Sequence, residues 1–186
     1  MSSLAFVSGN LNKAAEIIAM GRERGIAIRH VKMSKVEVQA ETNAEIAVKS
    51  AREAYAKLKV PLIVEDSGIS IDALGGFPGT YAAYAYSTIG LKGILTLLKG
   101  KSRKASFNTT FCYTDGKTTK TFAGVNRGTI SSTVRGGRKF AYDMVFIPKG
   151  YGKSFSQLDL EVKNRISHRS IAFNKFADYF LKSQKA

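Results

Sequence analysis

Cysteine is almost missing from this chain of 186 residues: Cys112 stands alone. One thiol can form neither an internal disulfide nor a multi-cysteine metal site, so packing must stabilise the fold. Proline is scarce too, with three scattered copies, and no Pro/Gly/Ser linker, low-complexity tract or internal repeat divides the sequence. No apolar run approaches the roughly 20 residues that span a bilayer, which excludes a membrane helix. Residues 1–9 lack a basic leader and a long apolar stretch, so no signal peptide is expected and the chain reads as soluble and cytoplasmic. Acids are few: 14 Asp and Glu face 29 Lys and Arg, for a net charge of +15.

That charge is uneven. The first hundred residues carry a net +3, whereas residues 101–186 carry +12. Such a field attracts polyanions, either nucleic acid or a phosphorylated small molecule, although excess lysine also serves simply as a solvated surface. No block of five or six like charges exists, so a disordered nucleic-acid arm is not indicated. With 44% hydrophobic and 23% charged residues the composition is that of a globular protein. A chain of this length removes roughly 70% of its unfolded surface on folding. One domain over 1–186, with or without two lobes, is expected.

Hydrophobic patterning alternates strands with helices. Leu4 to Ser8 reads as a buried strand, followed by a helix with Leu11, Ala14, Ala15 and Ile18 on one face. Ile26 to Val31 reads as the next strand. Ala44, Ala47, Val48, Ala51, Ala54, Tyr55 and Leu58 form a helical stripe, and Thr42 with Glu45 makes a capping box at its start. Leu62 to Val64 reads as a buried strand ending at Glu65. A third helix runs from about Thr88 to Leu98. Phe107 to Tyr113 and Thr118 to Val125 flank Asp115-Gly116 as a hairpin. The last helix begins at Ser167. This order points to an α/β protein with a mixed sheet.

Several residues suit phosphate chemistry. Ser8-Gly9-Asn10-Leu11-Asn12-Lys13 lies between a strand and a helix, where free N–H groups and the helix dipole attract anions and glycine permits close approach. The same pattern also arises by chance. Glu65-Asp66-Ser67-Gly68 ends a hydrophobic strand with two adjacent carboxylates, and their repulsion is costly without a cation. Mg²⁺ takes one or two carboxylates plus substrate phosphates. The alternative is an ordinary polar turn. Glu37, in Val36-Glu37-Val38, is either a second metal carboxylate or an exposed strand residue.

Lys163, His168 and Arg169 sit together near the start of the last helix. Cations disfavour that end of the dipole, so Arg169 needs a bound anion or a carbonyl acceptor. His168 alone suits a structural role as well as a catalytic one. Phe140-Ala141-Tyr142-Asp143 follows a basic, glycine-containing loop; aromatics there suit a flat base, and equally plain packing.

Taken in order, these segments resemble the inosine triphosphate pyrophosphatase family, the noncanonical purine nucleoside triphosphate pyrophosphatases, in its archaeal-type form. SGNLNK at 8–13, VEDSGISIDALGGFPGTYAAY at 64–84, RKFAYDMVFIPKG at 138–150 and VKNRISHR at 162–169 carry the match. The resemblance covers nearly the whole chain. It implies an elongated mixed sheet flanked by helices, with two lobes around a central cleft, and usually a homodimer. It also implies Mg²⁺-dependent hydrolysis of ITP, dITP or XTP to a monophosphate and pyrophosphate.

Under that resemblance Ser8, Gly9, Asn10, Leu11, Asn12 and Lys13 would contact the triphosphate. Glu37 and Asp66 would bind the metal, Asp66 would also be the catalytic base, and Ser67 would touch substrate. Phe140, Ala141, Tyr142 and Asp143 would hold the base, with Phe140 stacking on it. Lys163, His168 and Arg169 would complete the site, and Glu65 would stand behind it. The chain departs from the family pattern at Ser8 for threonine, Ala141 for glycine, Met144-Val145 for Pro-Ile and Gln157-Leu158 for Glu-Met.

Other readings remain distinguishable. A basic nucleic-acid-binding protein would account for the +15 charge but has no reading motif here, so no specific nucleic acid is expected. An inactive nucleotide-binding module conflicts with intact Glu37, Asp66 and Lys13. A related pyrophosphatase for pyrimidine or modified nucleotides would share the same phosphate chemistry.

Overall fold

The computed structural model describes residues 3–33, 40–137 and 140–184. Strand β1 (Leu4–Val7) is buried at all four positions and pairs in parallel with β2 (Ile28–Val31) and β3 (Leu62–Ile71). Parallel neighbours need crossovers, which helices α1 (Leu11–Glu23) and α2 (Asn43–Leu58) supply. The short β4 (Pro78–Gly79) runs antiparallel to β3, with Ile69 opposite Gly79. Helix α3 (Ala82–Leu97) follows, then β5 (Lys104–Thr114) and β6 (Thr119–Ile130) on either side of Asp115-Gly116. Strand β7 (Phe146–Pro148) is antiparallel to β6, and helices α4 (Leu160–Ile166) and α5 (His168–Ser183) end the chain. The strands form one mixed seven-stranded sheet in the order β2-β1-β3-β5-β6-β7, with β4 on β3. The α/β class with a mixed, helix-flanked sheet is the one expected.

The chain divides into two compact units. The first comprises the described residues of 1–66, 109–124 and 169–186; the second comprises those of 67–108 and 125–168. Alternation along β1 organises the first unit, because successive strand side chains point to opposite faces. Leu4 and Phe6 join Ala14, Ile17 and Met20 of α1 and Phe173 and Phe176 of α5. Ala5 and Val7 instead join Ala47, Ala51 and Ala54 of α2. A parallel strand covered on both faces is apolar throughout, as β1 is. The second unit has its own core, in which Ile69, Ile71, Leu91, Ile94, Phe107, Phe146 and Phe155 pack together.

Three expectations change. Helix α3 begins at Ala82 rather than near Thr88. The inward face of α1 carries Ala14, Ile17 and Met20, while Leu11 is 67% exposed and Ala15 is also exposed. Leu11 opens the helix, so its apolar side chain projects past the end of the core. In addition, β3 does not stop at Glu65 but continues through Asp66, Ser67 and Gly68 to Ile71. Gly68 is buried and adopts no left-handed φ. The two acids are therefore part of a strand, and their charge is met by side-chain partners rather than by a turn.

Candidate active site

In the first unit, the segment after β1 is arranged as an open helix start. Asn10 has extended backbone (φ −101°, ψ 109°), and its side-chain oxygen accepts the Lys13 N–H at 3.1 Å. Ser8 Oγ accepts the Asn10 N–H, also at 3.1 Å. Gly9, Asn10, Leu11 and Asn12 are exposed and Lys13 is half-buried. Among the described residues, an added Cβ at Gly9 would meet only the Met33 carbonyl oxygen, at an ordinary 3.8 Å. The described residues therefore do not demand glycine there, whereas a closely approaching ligand would.

Beside this segment lies a buried charge cluster. The Glu65 side chain has no exposed surface, and its Oε1 is 3.5 Å from Lys13 Nζ. Arg169, at the first turn of α5, donates from Nε to Glu65 Oε2 and from Nη2 to Glu65 Oε1, both at 3.2 Å. Its Nη1 donates to Glu16 Oε2 at 2.7 Å. Glu16 lies three residues beyond Lys13 on α1, on the same helix face. Burial alone would push the Arg169 pKa down, but the charges and hydrogen bonds of Glu65 and Glu16 outweigh it, and the net shift is upward. The compensation that Arg169 needs at a helix start comes from two protein carboxylates.

Asp66, next along β3, is half-buried, and its Oδ2 accepts a hydrogen bond from Asn43 Nδ2 at 2.7 Å. Asn43 is the first residue of α2, directly after the Thr42 cap. The side chains of these two adjacent acids have different partners: cations engage Glu65, and a neutral amide donates to Asp66. Glu37 lies outside the described residues. Among the described residues, no cluster of three or more His, Cys, Asp or Glu side chains is gathered as a metal cage.

The second unit brings together Phe140, Asp143 and Lys163. Lys163 and Asp143 are both buried and pair at 2.7 Å, while Lys163 Nζ lies 4.5 Å from the Phe140 ring centroid. Ala141 is half-buried beside them in sequence. Tyr142 is buried, donates its hydroxyl to the Ala82 carbonyl at 3.0 Å, and has its pKa pushed up to about 12 by burial. His168 is buried with its ring stacked on Phe107, centroids 4.4 Å apart and planes within 7°. Asn126 Nδ2 donates to the Ile166 carbonyl at 2.6 Å, anchoring the end of α4 just before His168. Ser67, the first residue of this unit in β3, is half-buried.

Sequence reasoning missed Glu16, Asn43, Phe107 and Asn126. Glu16 carried one usable signal, a carboxylate one helical turn from Lys13 in a chain short of acids. The other three have no local signature, since their partners lie 23 to 61 residues away.

Residues 4–179 match the model of the Ham1 family. The chain belongs to the Ham1 family. Its archaeal relatives include the dITP/XTP pyrophosphatase of Saccharolobus solfataricus, 43% identical across 95% of this chain and 92% of that protein. The dITP/XTP pyrophosphatase of Thermococcus kodakarensis is 40% identical, across 98% of this chain and 99% of its own length. Among solved structures, a HAM1 protein from Coxiella burnetii superimposes with a TM-score of 0.86 at 25% identity, covering 98% of this chain and all of that one. These matches bear out the family read from the four motifs, and this Ham1-family chain carries each of them.

Proposed function

We propose that this Ham1-family protein hydrolyses noncanonical purine nucleoside triphosphates such as ITP, dITP and XTP to the monophosphate and pyrophosphate, clearing them from the nucleotide pool. One observation carries the reading. The Lys13 ammonium, at an open helix start, lies 3.5 Å from the carboxylate of Glu65, the residue preceding Asp66. A cation suited to phosphate thus contacts the residue that precedes, along β3, a carboxylate suited to water activation, all within one unit. The dITP/XTP pyrophosphatases that match over most of their length supply the substrate class.

Magnesium fits the available chemistry. It needs few protein ligands, usually one or two carboxylates, because phosphates and waters complete its shell. Asp66 is an oxygen donor held by a neutral amide, whereas both Glu65 oxygens face cations. Asp66 would hold the ion, with Glu37 as the second carboxylate. When bound, the ion would supply charge neutralisation at the phosphates and a more acidic water.

This chain's own residues do the rest. The N–H groups of residues 9–12 and the Lys13 ammonium orient the triphosphate, with Ser8 shaping the segment through its bond to Asn10. Asp66 accepts the proton of the attacking water, and Ser67 touches substrate. Phosphoryl transfer depends mainly on positioning and charge stabilisation, which matches this set of groups. Phe140 stacks on the purine, while Ala141, Tyr142 and Asp143 form the wall behind it. Lys163, locked between Asp143 and Phe140, and His168, locked on Phe107, offer donors to a 6-oxo purine. Arg169 completes the nucleotide site through the carboxylates it holds. The protein acts as a cytoplasmic homodimer.

A panel of ITP, XTP, GTP, ATP and dUTP with Mg²⁺ tests the substrate class. Monophosphate should form fastest from ITP and XTP. Preference for dUTP or ATP would reject the purine reading.

A further inference from the structure

Glu65 is buried without exposed side-chain surface, yet the chemistry above assigns it no contact with substrate. Its two oxygens face three nitrogens: Arg169 Nε and Nη2 at 3.2 Å, and Lys13 Nζ at 3.5 Å. A divalent cation brought to these oxygens would meet a guanidinium and an ammonium, so Glu65 is poorly suited to be a metal ligand. Nor is it needed only to neutralise Arg169, because Glu16 already binds that guanidinium at 2.7 Å. Two carboxylates on one guanidinium leave a surplus negative charge. Lys13 balances it.

The geometry divides the two contacts of Glu65. The Arg169 fork is two-pronged and buried, which fixes the carboxylate in place. The Lys13 contact, at 3.5 Å, is longer than the roughly 2.7–2.9 Å of a full charge-assisted hydrogen bond. Glu65 therefore steers the ammonium mainly through charge. Lys13 sits at the first turn of α1 and Arg169 at the first turn of α5, so Glu65 on β3 connects two helix starts.

We propose that Glu65 is a positioning residue for phosphate recognition: Arg169 and Glu16 hold it rigid, and it holds the Lys13 ammonium at the anion-binding start of α1. The proposal rests on Lys13 as a triphosphate contact. It predicts that removing Glu65 damages phosphate binding only through Lys13.

A double-mutant cycle on the full chain tests this, with calorimetric affinity for inorganic tripolyphosphate as the readout and ITP kinetics beside it. Glu65→Gln and Lys13→Met should each weaken tripolyphosphate binding about tenfold, while the double variant should lie within about twofold of Lys13→Met alone. In the ITP assay, Glu65→Gln should raise KM about tenfold and change kcat by less than about threefold. If Glu65→Gln does not fold, as judged by circular dichroism, the same cycle is run with Glu65→Asp. That variant keeps a charge for Arg169 but withdraws it from Lys13, and the same pattern is expected. Additive losses, or a folded Glu65 variant that binds like the wild type, would overturn the proposal alone. A Lys13→Met variant indistinguishable from wild type would overturn it together with the phosphate reading.

Discussion

At Asp66 the neighbouring amide of Asn43 donates to one carboxylate oxygen, and this sets the residue apart from Glu65. Replacing Asp66 by Asn keeps the shape but removes the charge and the proton acceptor proposed there. Turnover of ITP should fall by about 10²–10⁴, the usual contribution of a positioned base. Melting should shift by no more than about 2 °C, since polar exchanges outside the core change stability by about 0.5 kcal/mol. A near-normal kcat would remove Asp66 as the base. Cys112 offers a second check: it is fully buried, and burial pushes its thiol up to about 11, against a small opposing effect of Arg52. A thiol reagent at pH 8 should label it only after unfolding. Tyr142 is likewise raised, to about 12. For both groups the folded state binds the proton more tightly. Their stabilisation is complete below the unfolded pKa values, about 9 and 10, and is lost as pH rises through 11 and 12. Denaturant midpoints should therefore decline from pH 9 upward; a flat alkaline profile would contradict the burial argument. At this scale Lys13, Asp66 and Lys163 were legible as residue types in suggestive places, but their partners were not. Arg169 illustrates the gap: its position at a helix start called for a bound anion or a carbonyl acceptor, and two protein carboxylates meet it instead, Glu16 and the distant Glu65.

Helix α2 shows how local chemistry can be read and then tested. Thr42 Oγ1 accepts the Glu45 N–H at 3.2 Å, and Glu45 Oε2 accepts the Thr42 N–H at 3.1 Å. Both bonds of the capping box lie within four residues, so the sequence alone revealed them. Thr42→Ala should cost about 1 kcal/mol, a loss of about 2–4 °C in melting temperature. Because Asn43 follows Thr42 directly and binds Asp66, fraying here should also lower ITP turnover. Unchanged activity in a measurably destabilised variant would show that Asn43 does not depend on the cap. Strand β3 is the opposite case. Its continuation through Glu65 and Asp66 was not legible, because adjacent acids read as a strand end unless their distant cations are known. The α1 face was half legible: Ala14 was correctly inward, but Ile17 and Met20 displaced Leu11 and Ala15 once α5 was packed against the helix.

Across the whole molecule, the β-α-β-α-β opening was visible in periodicity because each element completes its pattern within a few residues. The division into two units was not visible in that periodicity, although the family resemblance implied two lobes, because its boundaries fall inside β3, β5, β6 and α5 and no linker marks them. The +15 charge suits the polyanionic substrate proposed for this protein. Glu65, Asp143, Lys163, His168 and Arg169 are all buried and paired or stacked. The most direct measurement is ³¹P NMR of an ITP digest in the presence of Mg²⁺. Cleavage between the α and β phosphates should yield inosine monophosphate and pyrophosphate in equal amounts. Orthophosphate with inosine diphosphate, or intact ITP, would contradict it.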